Sequence, residues 1–385
     1  MHSKDTIAPI LGAPANTRLI KAYERYTPDQ RSILQVLSVV YQPINQTMLQ
    51  AILDRLGWRT PDGNRLSKIM GKALREQFIA DGLVSHEKNL LQCHPDIVEV
   101  LSRKAVAAGS FGQIAKAADA VVPFKAYYSQ FDQEREKENI RKLRLALYSG
   151  KHHAVLKQLL LNNSPYQPSR YDATKSLVRI CTHPFDHQWF DGLYPALRFQ
   201  VLANQLIDTA TFLQDSQDAW RLMREYFGAQ PPHPDAALFL AEQWLYRGQP
   251  GKAETLLPND GTLHSFTLLG WIRFIQGQYA EAIQYFEAGL KAERKKSRKR
   301  NIHIAGLPGV CFILALQHSD DPSHRELAQK QLLIAAKATV NDPFEPVFRL
   351  LGELHSILAG EMQIEQSVWL QRDSLAIEPW LDLFR

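Results

Sequence analysis

Residues 265–300 read SFTLLGWIRFIQGQYAEAIQYFEAGLKAERKKSRKR and contain two apolar stripes at helical spacing. Gly277-Gln278 separates the stripes, and glycine is the residue that most often ends a helix. The spacing therefore predicts a helix–turn–helix hairpin. Because such a hairpin is apolar on both flanks, it cannot bury itself and has to stack against neighbouring helices. The first stripe consists of Phe266, Leu269, Ile272 or Arg273, Phe274 and Ile275, and the second of Ala282, Ile283, Phe286 and Leu290.

The hairpin resembles a tetratricopeptide (TPR) unit in its small and aromatic positions. Gly270 supplies a small residue on the first helix, Gly277 supplies the turn, and Ala282 and Phe286 follow at matching spacing. The resemblance implies a TPR-like α-solenoid whose concave face would take a protein or peptide, and no convincing strand is found after Phe124. Similar turn sequences recur, at unequal spacing, around Gly150, Gly248 and Gly360.

Length and composition bound the class of protein. A chain of 385 residues with 45% hydrophobic and 10% aromatic residues is typical of a folded protein of two or three domains. No run approaches the roughly 18 apolar residues of a membrane span, and the polar N-terminus is no secretory signal. A sparse, odd set of cysteines, Cys93, Cys181 and Cys311, indicates a reducing compartment. We therefore expect a cytoplasmic protein that makes no membrane contact.

Positive charge is concentrated in one segment. The formal net charge is +5, yet residues 291–300 alone hold seven cations and one anion. The rest of the chain is close to neutral. The protein is therefore not generally basic but carries one basic cluster.

The N-terminal part predicts an arm followed by a winged helix. Pro9, Gly12 and Pro14 interrupt residues 1–26, so a poorly ordered arm is expected there, with order beginning at the capping box that starts with Thr27. Helices are expected from residue 28, over 46–56 and over 65–80, before a β-hairpin at 83–85 and 90–93. The residues predicted to face inward on the first two helices are Ile33, Leu34, Leu37, Val40 or Tyr41, Met48, Leu49, Ile52 and Leu53.

Three helices followed by a hairpin is the order of a winged helix. Residues 27–103 resemble the winged helix of STAND-type regulators (signal-transduction ATPases with numerous domains), where it joins an ATPase to helical repeats. The predicted fold class is mostly α, with an N-terminal winged helix of three helices plus a β-hairpin followed by a TPR-like α-solenoid. The expected domains are the arm 1–26, the winged-helix domain 27–103, a helical domain 104–230 that begins the solenoid, and a TPR-like repeat domain 231–385.

Four cations on the predicted third helix form the first candidate nucleic-acid surface. Arg65, Lys68, Lys72 and Arg75 would share one helix face, opposite an apolar face. In a winged helix this element can enter the major groove of DNA. The alternatives are a solvated face or a face that docks on another domain.

The basic cluster is the second candidate nucleic-acid surface. Its density of charge can neutralise phosphates and release counterions, which gives sequence-independent affinity. The alternative is an exposed helix end, because cations are favoured near a helix C-terminus. The residues assigned to this surface are Arg294, Lys295, Lys296, Arg298, Lys299 and Arg300.

Cys181, His183 and His187 lie within seven residues and are of the types that bind zinc. A closed zinc site needs a fourth ligand, and the chain has no Cys-x-x-Cys pair, so a packing cysteine beside loop histidines is favoured. The sequence also lacks a phosphate-binding loop, a dinucleotide fingerprint, a nucleophile elbow and His-Glu-x-x-His. We therefore predict no metal site, no cofactor, no catalytic residue and no enzymatic activity.

A further resemblance rests on residues 298–322. Arg298-Lys299-Arg300, the segment Ile304 to Gly309, the apolar run Phe312 to Leu316 and Asp320-Asp321-Pro322 are similar to a segment in the N-terminal region of large bacterial SWI/SNF-type helicase-like ATPases. The last residues, Glu378 to Arg385, resemble a segment that continues into further sequence there. No position matches the ATPase motifs of that family. The resemblance therefore implies the non-catalytic N-terminal part of a DNA-dependent motor, or a stand-alone relative.

Three functions are consistent with these patterns. The first is a non-enzymatic module of a bacterial motor, in which helical repeats hold a protein partner and basic surfaces meet nucleic-acid phosphates. The second is a fragment of a STAND-type transcription regulator with a structural winged helix. The third, from a different class, is a metal-dependent enzyme around Cys181, His183 and His187.

Overall fold

The computed structural model describes residues 16–122, 132–162, 173–211, 216–231, 233–258, 260–339, 344–360 and 362–363. These residues are mostly helical, and the sheet among them has two strands. They divide into two compact units, one running to Ala210 and resuming at 216–226, the other beginning at Phe227. The predicted fold class is confirmed. No helix in the described part of the chain combines the length and apolar character needed to cross a bilayer.

In the first unit a short helix precedes the winged helix and further helices follow it, and the last residues of α12 and α13 group with the second unit. Its strands are β1 (Val84–Glu87) and β2 (Leu90–Cys93). Its helices are α1 (Thr17–Glu24), α2 (Pro28–Val40), α3 (Gln46–Leu56), α4 (Leu66–Ile69), α5 (Lys72–Ala80), α6 (Val98–Ala107), α7 (Phe111–Val121), α8 (Asp132–Tyr148), α9 (His152–Asn162), α10 (Ala173–Thr182), α11 (His187–Asp191), α12 (Pro195–Thr211) and α13 (Gln217–Phe227).

The predicted capping box and hairpin of the winged helix are confirmed. The Thr27 N–H donates to Gln30 Oε1 (3.1 Å) and the Gln30 N–H donates to Thr27 Oγ1 (3.3 Å), which fixes the start of α2. Lys88 and Asn89 both have positive φ (49° and 63°), as a tight two-residue turn between β1 and β2 requires. Ile44, between α2 and α3, pairs with Leu91 through two backbone hydrogen bonds (3.0 and 2.7 Å), an addition to the hairpin that sequence patterning did not indicate.

The inward faces of α2 and α3 follow the predicted stripes with one exception. Met48 is 38% exposed, because it lies in the first turn of α3 beside the stripe that faces the core. Tyr41 is the left-handed C-cap of α2 (φ 60°), so Val40 is the inward residue of that pair. The buried residues of the two stripes are Ile33, Leu34, Leu37, Val40, Leu49, Ile52 and Leu53.

The single helix predicted over 65–80 is wrong. Residues 66–69 form the short helix α4, and α5 starts only at Lys72. Met70 and Gly71 between them have ψ values of 63° and 179°, which no α-helix accommodates. Met70 is 1% exposed, so burial of its side chain accompanies the break.

The arm predicted over 1–26 is wrong for its last eleven residues. Asn16 caps α1 by accepting the Leu19 N–H at 3.4 Å, and Leu19 and Tyr23 are buried. Tyr26 is also buried, and its hydroxyl donates to Asp81 (2.7 Å). These residues therefore belong to the core of the first unit. Residues 1–15 and the segment Glu378–Arg385 lie outside the described residues.

The second unit is a stack of helical hairpins in which successive helices alternate. Helices α14, α16, α18 and α20 pack against one another in turn, while α15, α17 and α19 each pack on the helices beside them. This alternation is the packing of TPR-like repeats. The bounds are α14 (Pro234–Tyr246), α15 (Pro250–Glu254), α16 (Leu263–Ile275), α17 (Tyr279–Ser297), α18 (Gly306–Gln317), α19 (Pro322–Ala338) and α20 (Glu345–Leu358).

The α16–α17 hairpin shows why a small residue is needed at position 270. A Cβ on Gly270 would lie 2.8 Å from ring atoms of Phe286, which is fully buried. The predicted stripe of α17 is confirmed, since Ala282, Ile283, Phe286 and Leu290 are all buried.

The predicted stripe of α16 is wrong in part. The buried large apolar residues are Leu268, Trp271 and Ile272, while Phe266, Leu269 and Phe274 are partly buried and Ile275 is 42% exposed. Helix α16 packs on α14, α15, α17 and α18 at once, so it is buried over a broader face than one stripe provides.

The recurrent glycine turns predicted from sequence are confirmed as helix ends. Gly150, Gly248, Gly277 and Gly360 all have φ between 64° and 76°, in the left-handed region that favours glycine. The residue after Gly277 donates its N–H to Arg273 O (2.8 Å), and the same bond follows Gly150 and Gly248. One backbone motif therefore ends the first helix of hairpins in both units.

Helix α18 is the centre of the second unit. Nine of its residues are buried, so it is apolar on all sides rather than on one stripe. A Cβ on Gly309 would lie 2.0 Å from the backbone oxygen of Ile304, so that position accepts only glycine without movement of the backbone. Most of the apolar residues in 304–316, which are part of the segment that carries the helicase-like resemblance, are thus core residues of this fold.

Candidate interaction surfaces

The basic cluster lies at the C-terminus of α17 and in the loop that follows. Arg298 is the left-handed C-cap of the helix (φ 58°), and Lys299 and Arg300 come after it. Arg294 is half-buried. Of the cations assigned to the second candidate surface, those that are exposed, which we call the basic end, are Lys295, Lys296, Arg298, Lys299 and Arg300.

The backbone that carries the basic end is anchored on both sides. The Arg298 N–H donates to Arg294 O (3.0 Å), and the Ser297 hydroxyl donates to Glu293 O (2.9 Å). The Lys299 N–H donates to the Ser297 hydroxyl (3.3 Å), and the chain re-enters the core at Ile304, which is 5% exposed. The cations therefore project from a fixed helix end and a short loop.

The helix dipole explains only part of this charge. Within the described residues, no side chain of the basic end makes an ion pair. Lys295 and Lys296 lie in the last turn of α17, where the helix C-terminus stabilises a cation by about 0.3–1 kcal/mol. That effect falls off within the last turn, so it does not account for Lys299 and Arg300, which follow the C-cap.

The first candidate surface is not a continuous cationic face. The helix is interrupted at Met70-Gly71. Arg65 and Lys68 therefore lie on or before α4, whereas Lys72 and Arg75 lie on α5. The prediction that all four share one helix face is therefore wrong.

Three of these four cations also have local partners. Arg65 lies 3.8 Å from Asp54, and Lys72 lies 3.8 Å from Glu76. Arg75 is half-buried and donates to Gln46 Oε1 (2.7 Å). Lys68 is exposed. The exposed surface of α5 thus carries a lysine and a glutamate that offset each other, which makes this surface the weaker of the two.

The opposite end of the α16–α17 hairpin is aromatic and apolar. Ile275 and Tyr279 are 42% and 36% exposed, and the Tyr279 ring stacks on the His318 imidazole with 4.7 Å between centroids. Nearby, Arg273 pairs with Glu254 (2.7 Å) and Glu281 (3.4 Å), so its charge is balanced. Exposed aromatic and aliphatic side chains beside a charged rim are typical of protein-binding surfaces. We call Ile275, Tyr279 and His318 the turn end.

The three candidate metal ligands do not converge. Cys181 is buried in α10, and burial raises the pKa of its thiol. His183 Nδ1 lies 2.8 Å from the Thr182 hydroxyl, and His187 Nδ1 lies 3.8 Å from Asp191. Within the described residues no group of three or more His, Cys, Asp or Glu side chains could hold a metal ion. The packing interpretation of Cys181 is the one that fits.

Sequence reasoning missed a buried polar network in the first unit. Arg144 on α8 pairs with Glu99 on α6 and donates to Ser38 O (3.1 Å) and to the Ser102 hydroxyl (2.8 Å). The Tyr148 hydroxyl donates to the second oxygen of Glu99 (2.6 Å). These bonds join the winged helix to α8. The available signal was the spacing of Arg141, Arg144 and Tyr148, which places two arginines on the inward stripe of α8.

The surroundings of this network raise the pKa values of Arg144 and Tyr148. Burial alone would lower the pKa of Arg144, but the neighbouring Glu99 carboxylate raises that pKa overall. Burial, reinforced by Glu99, raises the pKa of Tyr148 well above its usual value. Arg144 therefore stays charged and Tyr148 stays neutral, which suits a structural link rather than proton transfer.

Comparison with known proteins gives one similar structure. No protein-family model matches the chain, and no curated protein matches it. Among solved structures, the chain is similar to a STAND protein with a tetratricopeptide-repeat sensor from Pyrococcus horikoshii, at 14% identity and a TM-score of 0.37. The match covers 95% of this chain and 52% of that one, so the chain spans about half the length of that protein.

Proposed function

We propose that this chain is a non-catalytic docking module whose basic end contacts nucleic-acid phosphates while the hairpins of the second unit hold a protein partner. The observation that carries the proposal is the basic end: five exposed cations on an anchored backbone, none of them ion-paired within the described residues. Unpaired surface charge of one sign attracts a partner of the opposite sign.

The chemistry of the basic end favours the phosphate backbone over the bases. No Phe, Trp or Tyr lies between Lys291 and Ile304, so base stacking is not available there. Backbone contacts bind any sequence and weaken with salt, since each neutralised phosphate releases counterions. If all five side chains reach phosphates of duplex DNA, the slope of log K against log salt is about −4.5.

The turn end supports the protein-binding half of the proposal. Ile275 and Tyr279 offer apolar area at the surface, and Tyr279 stacked on His318 is a rigid aromatic platform. Aromatic anchors of this kind carry a large share of the binding energy in protein interfaces. The partner is a protein or peptide, held without any step of bond chemistry.

The chain would serve a larger assembly, and two assemblies fit. One is a bacterial SWI/SNF-type motor, whose catalytic ATPase would lie outside this chain. The other is a STAND-type regulator, in which an ATPase would precede the winged helix. The flanking reading frame distinguishes them: helicase motifs after Arg385 support the motor, and STAND ATPase motifs before the winged helix support the regulator. ATP turnover by the purified chain alone would contradict both.

The test is a salt titration of binding to a fluorescein-labelled 20-base-pair duplex, followed by anisotropy. The variant Lys296→Glu/Arg298→Glu/Lys299→Glu should lose most affinity and flatten the salt slope. A matched control, Arg325→Glu/Lys330→Glu/Lys337→Glu, changes the net charge equally on exposed positions of α19 and should retain more affinity and most of the slope. Equal losses of affinity in the two variants would show that only the net charge of the protein matters, and would contradict the assignment of the basic end as the phosphate-binding surface.

A parallel variant tests the weaker surface. Lys68→Ala/Lys72→Ala/Arg75→Ala should change duplex affinity little, because Lys72 and Arg75 already have partners in the fold. A larger loss of duplex affinity in this variant than in the basic-end variant would indicate that the winged helix, and not the basic end, contacts the duplex. Binding of the same variants to a single-stranded RNA of equal length shows whether the basic end distinguishes DNA from RNA.

A further inference from the structure

A cleft of about 1050 Å³ opens in the first unit between α6, the turn joining α8 to α9, and α11. Pockets for small molecules typically measure roughly 300–1000 Å³. The cleft lies within one compact unit, so its walls are packed elements of a single body. Neither the basic end nor the turn end contributes to it.

One side of the cleft is cationic. Arg103 and Lys104 line it from α6, and His152 lines it from the first position of α9. Lys104 is exposed and makes no ion pair with a described residue. Asp186 is the carboxylate among the lining residues, and it already accepts the Trp189 N–H at 3.1 Å as the cap of α11. The lining is therefore net positive.

Arg103 is fixed in place and retains an unused donor. The side chain is 6% exposed, and its terminal nitrogens donate to Pro184 O (2.6 Å) and Ile180 O (2.7 Å). Its Nε has no hydrogen-bond partner within the described residues. Arg103 therefore places a fixed positive charge on this side of the cleft.

The other side of the cleft is aromatic and apolar. The Arg103 guanidinium lies over the Trp189 ring, 4.4 Å from its centroid, and Phe185 and Leu147 extend the wall. Trp189 and Phe185 are both partly exposed, so part of their surface remains open to a ligand. An aromatic wall beside a cationic one suits a ligand that is apolar in one part and anionic in another.

We propose that this cleft binds small organic anions that carry an aromatic ring, with the ring against Trp189 and Phe185 and the anionic group on the side of Arg103 and Lys104. Burial lowers the pKa of His152, so at neutral pH this side chain is uncharged and contributes a hydrogen bond rather than a charge. The ligand would reach the end of α6 and the start of α9 together. The site is independent of the nucleic-acid and protein surfaces proposed above.

The test uses two probes that differ in charge: the anion 1-anilinonaphthalene-8-sulfonate and its neutral analogue N-phenyl-1-naphthylamine. Fluorescence titration of the full chain should show saturable binding of the sulfonate that is tighter than binding of the neutral probe. Lys104→Gln should weaken binding of the sulfonate by roughly two- to fivefold, the size of one exposed charge contact, and leave the affinity for the neutral probe unchanged. Lys116→Gln is the matched control, an exposed lysine on α7 outside the cleft, and should change neither.

Two aromatic variants test the other wall. Binding of both probes should be weaker in Phe185→Leu and in Trp189→Leu. The loss in Trp189→Leu should be about tenfold, the scale of one lost stacking contact. If circular dichroism shows that Trp189→Leu does not fold, Phe185→Leu with Lys104→Gln decides the question. Equal affinity of the two probes, or a sulfonate affinity that Lys104→Gln leaves unchanged, would assign the fluorescence to general apolar surface and overturn the proposal.

Discussion

Replacement of Gly270 by alanine tests the packing of the TPR-like hairpin most sharply. The new Cβ would lie 2.8–2.9 Å from three ring atoms of Phe286. That ring is fully buried and packs against Phe312 with 5.0 Å between centroids, so it has little room to retreat. Gly270→Ala should therefore strain the contact between α16 and α17.

The magnitude follows from two opposed effects. Alanine is favoured over glycine in a helix interior by about 0.8–1.0 kcal/mol. Overpacking of a filled core costs about 1–3 kcal/mol. Gly352→Ala on α20 isolates the first effect, because no atom of a described residue lies within 4 Å of the Cβ it would add. The difference in free energy of unfolding between the two variants should therefore be about 1–3 kcal/mol, with Gly270→Ala the less stable.

Hydrogen exchange measured by mass spectrometry on peptides of α16 and α17 reports the stability of the second unit separately from the first. Protection should fall in Gly270→Ala and rise or stay level in Gly352→Ala. Adding Phe286→Leu to Gly270→Ala should recover stability relative to the sum of the single changes, because a smaller side chain relieves the contact. An equal gain of protection in Gly270→Ala and Gly352→Ala would show that the Phe286 ring does not oppose a side chain at position 270.

Three other outcomes are expected. Arg144→Met should lower the free energy of unfolding by about 3–5 kcal/mol in urea denaturation, because Glu99 is left buried without its cationic partner. The double variant Arg144→Met/Glu99→Leu should regain part of that free energy. Burial raises the pKa of Glu242 from 4.5 to about 7, so the folded state binds more protons than the unfolded state in that window. Stability should therefore fall as pH rises from 4.5 to 7, by at most about 1.4 kcal/mol per unit, and a pH series of urea melts should show no such fall in Glu242→Gln. Burial raises the pKa of Cys93 and Cys311 to about 12, so both thiols should resist Ellman's reagent at pH 8 until guanidinium unfolds the chain; rapid labelling of the native protein would contradict this.

Local signals in the sequence predicted the elements that local chemistry determines. The capping box at Thr27 and the glycines at 150, 248, 277 and 360 act through bonds within a few residues, so patterning located those helix ends. The inward residues of α17 were also predictable, because α17 buries one stripe. Helix α16 packs on several partners, and a single stripe could not anticipate that.

The errors arise where tertiary contacts override local preference. The cations at 65, 68, 72 and 75 have helical spacing, yet burial of Met70 and the conformation of Gly71 divide the segment. Helix α1 forms because Leu19 and Tyr23 find a core that lies far along the chain. The Glu99–Arg144 pair joins residues 45 positions apart, which one sequence cannot reveal.

The candidate surfaces divide in the same way. The density of the basic end was visible in the sequence, because the exposed side chains of residues 294–300 are consecutive or nearly so. That no described residue forms an ion pair with it was not visible, since an acidic side chain from any other helix could have covered it. The cleft beside Arg103 was not predictable either, because its walls come from four separate parts of the chain.

Hydrogen exchange of the full chain with and without a 20-base-pair duplex at low salt tests the central claim most directly. The account predicts slower exchange in peptides that cover 291–304, lost at high salt and absent in Lys296→Glu/Arg298→Glu/Lys299→Glu. Protection confined to α4 and α5, or unchanged exchange at 291–304 while the duplex is bound, would contradict it.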